Sequence, residues 1–319
     1  MNIGLDMMGG DFAPLEAVKG LALHFGQSKT VIHFTLIGNE TIISDLLELH
    51  KVPITDIEIV HAEQVIEMHE HPTKAFREKQ QSSIAIGFKL LASGKIDAFL
   101  SAGNTGAMMV GAMFSIKAID GVMRPTIGAF IPRENGTLGL LVDAGFNADC
   151  KPENLSQFAI LGSLFVENIW GVPNPKVGLI NIGEEEGKGN LLAQAAYPLL
   201  KENEHINFVG NIEGRDVLMS TSDVMVCEGF TGNVILKMAE SIYDIILRRG
   251  IKDEHFDRFN FEVYGGVPVL GVTKPVIIGH GISKDIAFKN MIGMAQRMLE
   301  TDLVKKMKDV FTPKDVKVI

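Results

Sequence analysis

Lys188 lies in the stretch of this chain best suited to chemistry. Residues 177–190, Val-Gly-Leu-Ile-Asn-Ile-Gly-Glu-Glu-Glu-Gly-Lys-Gly-Asn, start as an apolar strand, break at Gly183 and lead into a helical pattern that begins at Leu191. A strand that feeds a Gly-rich turn into a helix N-terminus aims unpaired backbone N–H groups and the positive end of the helix dipole at one point, which suits an anion. Lys188 adds a mobile positive charge, and Gly183, Gly187, Gly189 and Asn190 allow close backbone approach. Glu184, Glu185 and Glu186 would repel an anion if turned inward, so they are expected to pair with cations or face solvent. The spacing Gly183-x3-Gly187-Lys188 puts Gly189 where a Mg²⁺-binding Ser or Thr would stand, so this is not a Walker A loop. On these residues alone an anion site and a plain strand–helix connection are equally good readings.

Other turns share the design. Gly9-Gly10-Asp11, Gly103-Asn104-Thr105-Gly106, Gly145 with Asn147, Asn211, Gly229 through Gly232 to Asn233, and His280-Gly281 all follow expected strands. They are rich in glycine and asparagine, which offer close approach and neutral hydrogen bonds. No Ser-His-Asp arrangement is visible, and Ser101 lacks the Gly-x-Ser-x-Gly setting of a nucleophilic serine. His69-Glu70-His71 is too tightly spaced for the helical zinc pattern. His280 is the only histidine at one of these turns, while Asp11 and Arg215 are expected to fix turns rather than react.

The elements that must position these turns follow from periodicity. Strands are expected at 2–6, 31–37, 57–60, 96–101, 126–131, 138–142, 176–182, 206–209, 224–227 and 276–278. Helices are expected after Pro14, at 40–50, as one long element within 72–91, from Ala107, at about 152–169, at 191–200, at about 233–249 and from Ser283 to about 299. Asn135-Gly136 between two strands marks one antiparallel hairpin, and a last loop is expected to begin at Tyr264-Gly-Gly-Val-Pro268. Repeated strand–turn–helix units give an α/β fold with a mainly parallel sheet wrapped by helices, and ligands then sit at the carboxyl ends of the strands.

Composition narrows the class. The chain has 319 residues, 46% hydrophobic and 22% charged, as a globular protein with a large core should. We treat 1–319 as a single domain with a helical excursion at about 233–262. Two cysteines, Cys150 and Cys227, argue against a disulfide framework or a structural zinc. The first residues lack the pattern of a signal peptide, and no apolar run reaches the ~18 residues of a membrane span, so a cytoplasmic location is expected. Net charge −9 opposes general nucleic-acid binding.

As an ordered set, the turns resemble the bacterial phosphate acyltransferases of phospholipid synthesis, the acyl-ACP:phosphate transacylases. The matching pieces are Asp6-Met-Met-Gly-Gly-Asp-Phe-Ala-Pro14, Ser101-Ala-Gly-Asn-Thr-Gly-Ala107, Asp143-Ala-Gly-Phe-Asn-Ala-Asp-Cys-Lys-Pro152, Asn181 to Asn190, Gly210-Asn-Ile-Glu-Gly-Arg-Asp216, Glu228-Gly-Phe-Thr-Gly-Asn233 and Tyr264-Gly-Gly266. Each is weak alone; the order across nearly the whole chain is specific. The resemblance implies a Rossmann-like three-layer α/β/α fold related to phosphotransacetylases and to isocitrate and isopropylmalate dehydrogenases. It implies transfer of a fatty acyl group from acyl carrier protein to inorganic phosphate, a homodimer, and handover of the acyl phosphate to a membrane glycerol-3-phosphate acyltransferase. Three departures stand out. Met7 replaces the usual Ala, Gln81 stands where a charged residue is commoner, and the segment before Tyr264 is shorter than the helical excursion with which relatives touch the membrane. Ile245-Ile-Leu-Arg-Arg249 is a small basic-amphipathic tip, read here as a dimer-packing helix with a solvated end and at most weak peripheral membrane contact.

Such a reaction needs no metal, redox cofactor or enzyme nucleophile, because phosphate itself attacks and a thiolate leaves; positioning and electrostatics suffice. Lys188 is then the cation for phosphate or for transition-state charge, with an ion pair to Glu184 or Glu185 as the structural alternative. Asn233 donates to phosphate or oxyanion, or caps its helix; Asn104 and Thr105 donate, or cap; His280 protonates the thiolate, or holds backbone. Arg248, Arg249, Lys252 and Arg258, or Lys305, Lys306 and Lys308, would dock the acidic carrier protein. The competing readings are a phosphotransacetylase using acyl-CoA, a nicotinamide-dependent decarboxylating dehydrogenase and a non-catalytic scaffold.

Overall fold

The computed structural model describes residues 1–27 and 30–312. Eleven strands follow in chain order among the described residues: β1 (Asn2–Asp6), β2 (His33–Gly38), β3 (Ile57–His61), β4 (Ala98–Ser101), β5 (Thr126–Pro132), β6 (Leu138–Val142), β7 (Lys176–Ile180), β8 (Asn207–Ile212), β9 (Val224–Val226), β10 (Gly266–Leu270) and β11 (Val276–Gly279). The helices are α1 (Leu15–Gln27), α2 (Glu40–Leu49), α3 (Pro72–Glu78), α4 (Ser83–Ala92), α5 (Thr105–Gly111), α6 (Pro152–Trp170), α7 (Leu191–Lys201), α8 (Gly229–Arg248), α9 (Glu254–Asp257), α10 (Asp285–Glu300) and α11 (Leu303–Phe311). They fall into two compact units, one of Met1–Ala118 with Phe261–Val304, the other of Ile119–Asn260 with the residues from Lys305 onward.

In the first unit the strand order is β3-β2-β1-β4-β11-β10. All neighbours are parallel except β10 against β11. The central strands are apolar on both faces because helices cover both; Ile3, Leu5, Ala98, Phe99 and Leu100 have lost almost all contact with water. Helices α1 and α10 pack so closely that a Cβ on Gly20 would lie 2.4 Å from the Phe288 Cβ. On the other side of that contact, α10 buries Phe288, Met291, Ile292 and Met298. Parallel β1, β4 and β11 thus end side by side at Asp6, Ser101 and Gly279.

In the second unit the order is β5-β6-β9-β7-β8, parallel except for the β5–β6 hairpin. The hairpin turn is the expected Asn135-Gly136, with Gly136 at φ +84° and the Asn135 side chain accepting from the Thr137 N–H. Helix α6 buries Phe158 and Phe165, and Phe165 stacks on Phe130 beside Trp170. Arg133, 5% exposed, ties the hairpin to the start of β9. Its guanidinium donates to Asp223 Oδ1 at 3.0 Å, to the Ser222 carbonyl and to the Thr137 hydroxyl.

The α/β class and its mainly parallel sheets are as expected, and three local features differ. The single helix expected within 72–91 is two, α3 and α4, because Ser82 turns its hydroxyl to the Ala85 N–H as an N-cap and its backbone bridges to Gln64. Residues 266–270 are not loop but β10, antiparallel to β11 and closed by Gly271 at φ +85°. The helical excursion expected at about 233–262 is not continuous: α8 ends at Arg248, and the short α9 and a 3₁₀ turn at Phe261–Val263 follow. Removing the carboxylate under the buried guanidinium, Asp223→Ala, is expected to lower the unfolding free energy by about 3 kcal/mol, since it strands a buried charge; chemical denaturation measures it.

Candidate active site

Each unit gathers Gly-rich turns at the carboxyl edge of its own parallel strands. In the first unit the organiser is Asp6, fully buried at the end of β1. Its Oδ1 accepts from the Met8 N–H at 2.9 Å and its Oδ2 from the Ser101 hydroxyl at 2.6 Å. Ser101 Oγ in turn accepts from the Gly103 N–H at 2.9 Å. The turns 6–11 and 101–106 are thereby locked together, and a Cβ on Gly9 would sit 2.5 Å from both Asp6 Oδ2 and the Gly103 nitrogen. The third turn joins where the Asp11 N–H donates to the Gly281 carbonyl at 2.7 Å; Gly10 packs there too, at φ +99°. Burial pushes the Asp6 carboxyl above its ordinary value, while the Ser101 and Ser83 hydroxyls and the Met8 and Gly9 amides pull it back.

The first unit's expected site residues are mostly engaged in holding these turns. Asn104 caps α5 by accepting from the Ala107 N–H and donates to the carbonyls of Glu67, Met68 and Glu70, so its amide ties down a loop rather than facing a ligand. Gly106 sits under Pro72. The Thr105 side chain, by contrast, is exposed at the first position of α5. His280 is exposed on the turn after β11, its ring 5.0 Å from Phe261 and its Nδ1 facing the Ile282 N–H at 3.4 Å.

In the second unit Asp143, also fully buried, plays the same part at the end of β6. It accepts from the backbone N–H groups of Ile127, Gly145, Phe146 and Asn147 and from the Asn147 amide. Asn147 spends its other amide hydrogen on the Pro125 carbonyl, so it is a brace. Gly229 donates its N–H to the Asn147 carbonyl, and Gly232 lies so close to Asp143 that any Cβ would collide with its carbonyl. Asn233 does not open its helix as expected. Glu228 is the N-cap, accepting from the Thr231 N–H, and Asn233 stands one turn inside α8, exposed, its amide 3.5 Å from the Ala144 carbonyl.

The 181–190 turn, beyond β7, is held by neutral amides. Asn181 donates to the Lys188 carbonyl and to Asn211 Oδ1, and Asn211 donates to the Glu185 carbonyl at 2.8 Å. Gly189, at φ +98°, leaves no room for a Cβ beside Asn181, and Asn190 caps α7 through the Ala193 N–H. The glutamates pair as expected: Glu184 with Arg215 at 3.3 Å and Glu186 with Lys201 at 3.0 Å. Lys188 reaches Glu185 only at 4.0 Å and stays 51% exposed, which leaves its ammonium able to meet an anion. Gly183 is buried against the Lys188 stem, and Gly187 is open to solvent.

Asp6, Ser101 and Asp143 are structural keys that the site reading passed over. The two aspartates carry a signal in the sequence: an acidic residue that closes an apolar run and opens a Gly-containing turn, Leu5-Asp6 and Val142-Asp143. Both cysteines are pushed toward the protonated thiol. Burial and the nearby Asp143 raise Cys150 to about 11, and burial also pushes Cys227 well above the ordinary thiol value.

The fold is similar to that of solved phosphotransacylases. The phosphotransacetylase of Streptococcus pyogenes superposes with a TM-score of 0.64 over 94% of each chain at 16% identity. The branched-chain phosphotransacylase of Enterococcus faecalis gives 0.61 over 94% of this chain and 99% of that one, at 14% identity. At such identities the likeness establishes the fold. Sequence goes further. A family model described as fatty acid synthesis protein matches residues 1–306. The chain is 44% identical to the phosphate acyltransferase of Dictyoglomus turgidum and 42% identical to that of Aquifex aeolicus, over 96% of both chains in each case. It therefore belongs to the phosphate acyltransferase family of transferase enzymes.

The raised Asp6 pKa has a defined sign. The folded state holds that proton more tightly than the unfolded chain does, so the group's contribution to stability is greatest at low pH and is lost as pH rises above 3.8 toward the folded value. Relative to Asp6→Asn, the wild-type unfolding free energy is expected to fall with rising pH over this acidic range. Denaturant titrations at several pH values read it; parallel curves would mean that Asp6 titrates normally.

Proposed function

We propose that this enzyme transfers a fatty acyl group from acyl carrier protein to inorganic phosphate. A phosphate oxygen attacks the thioester carbonyl, the C–S bond breaks, the carrier thiolate takes up a proton, and acyl phosphate leaves for a membrane glycerol-3-phosphate acyltransferase on the way to phosphatidic acid. The observation that carries this reading is the 181–190 turn. Glu184 and Glu186 are occupied by Arg215 and Lys201, while Lys188, flanked by Gly187 and Gly189, keeps only a 4.0 Å contact with Glu185. On this reading phosphate sits there, against the Lys188 ammonium and the positive end of the α7 dipole. Direct attack is favoured over an acyl-cysteine because Cys150 and Cys227 are held as thiols. Asn233 lies on the same edge of the sheet and is assigned as a donor to phosphate or to the oxyanion.

Two surfaces support the proposed partners. Arg248, Arg249 and Lys252 are exposed and have no acidic partner among the described residues, which suits an acidic carrier protein. Arg258, by contrast, is turned to the Thr137 carbonyl and Lys306 to Asn168. Helix α8 exposes Phe230, Val234, Met238, Ile242 and Ile245, a stripe with the spacing of one helix face, and this supports the homodimer. No helix among the described residues is long and apolar enough to cross a membrane.

Incubation with palmitoyl-ACP, with and without phosphate, and trapping with hydroxylamine tests the reaction. Phosphate-dependent hydroxamate is the expected result; hydroxamate from acetyl-CoA alone would transfer the assignment to acyl-CoA. Lys188→Ala is expected to lower turnover on the order of 10²-fold in a folded protein, as loss of one charge-stabilising donor does, and near-native turnover would remove Lys188 from the mechanism. Met238→Glu is expected to convert a dimer to a monomer in sedimentation velocity, with the circular dichroism spectrum unchanged.

A further inference from the structure

The second unit has a cleft of about 590 Å³ at the opposite edge of its sheet from the Gly-rich turns. It lies where β6, β7 and β9 begin, and it is lined by Leu138, Trp170, Val172, Lys176, Arg133 and Asp223 among others. Its size falls in the range of small-molecule sites. The floor is apolar, from Leu138 and Val172, and Trp170 is a half-buried ring fixed by edge contacts to Phe130 and Phe165. The polar groups are asymmetric. Arg133 and Asp223 neutralise one another at 3.0 Å. The backbone N–H of Lys176 donates to Asp223 Oδ2 at 2.9 Å, which fixes the lysine at the rim, yet its ammonium has no partner among the described residues. A second guanidinium, Arg258, reaches the Thr137 carbonyl on the same hairpin at 3.4 Å. The cleft therefore combines an aromatic ring, an aliphatic floor and a net positive rim.

We infer that this cleft is a second binding site, separate from the acyl-transfer turns, for a planar aromatic monoanion. Its carboxylate meets the Lys176 ammonium while its ring packs on Trp170, Leu138 and Val172. The chemistry of the lining selects this class: a neutral aromatic would leave the Lys176 charge unused, and an inorganic anion would leave the apolar floor wet.

The chain contains a single tryptophan, so a protein labelled with 5-fluorotryptophan gives one ¹⁹F resonance, that of Trp170. Titration of the full chain with 2-naphthoate is expected to move that resonance saturably. Lys176→Ala should weaken the apparent Kd about fivefold, the scale of one exposed ion pair, and Lys176→Arg should restore it. The neutral 2-naphthylmethanol should bind as weakly to wild type as naphthoate does to Lys176→Ala. An unchanged ¹⁹F shift in the ligand-free variants confirms that the fold around Trp170 is kept. Absence of a saturable shift, equal binding of acid and alcohol, or indifference to Lys176→Ala would each overturn the inference. The readout is independent of acyl transfer, so its failure leaves the proposed reaction untouched.

Discussion

A carboxylate buried at the end of a strand is the interaction on which both units depend. Asp6 and Asp143 each sit where a parallel strand stops and the backbone must turn sharply, leaving N–H groups without a ladder partner. A buried amide that loses water and finds no acceptor costs about 1–3 kcal/mol. One carboxylate answers several such amides at once, as Asp143 does for Ile127, Gly145, Phe146 and Asn147. The cost is the desolvation of a charge, visible in the raised pKa of Asp6. What is obtained is a set of turns whose shape is decided before any ligand arrives, the condition for catalysis by positioning.

This division of labour explains why the site is so rich in asparagine. Asn104, Asn147, Asn181 and Asn211 all spend their amides on backbone carbonyls, on the Asp143 carboxylate or on one another. They shape the cradle, so the phosphate contacts proposed above fall to backbone and to Lys188. Glycine enters for a different reason at Gly9 and Gly232, where two backbones approach too closely for any side chain.

The sequence made the parallel architecture legible because strands such as 98–101 and 138–142 are continuous apolar runs ending in turn residues. The same turns carried the ordered motifs of the family. The part that stayed hidden was which members of each motif point inward. Asn104 and Asn147 are indistinguishable from ligand donors in one dimension, since their partners lie tens of residues away at Glu67 and Pro125. The break between α3 and α4 was masked for a similar reason: besides the Ser82 cap on the Ala85 N–H, it depends on the pairing of Ser82 with the distant Gln64. Strand β10 was missed because Gly265, Gly266 and Pro268 are local turn signals, overridden here by registry with β11.

The Lys188 turn joins two kinds of fastening that respond differently to the medium. Its inner frame, Asn181 to Asn211 to Glu185, is made of neutral amides. Its outer pairs, Glu184 with Arg215 and Glu186 with Lys201, are exposed charges. At physiological ionic strength charges beyond about 8 Å are largely screened, and exposed pairs contribute little. The frame therefore keeps its shape in a dilute or a concentrated salt solution, while the loose ring of charge around it fades. Salt would then modulate how strongly an anion is drawn toward the turn without altering the geometry that receives it.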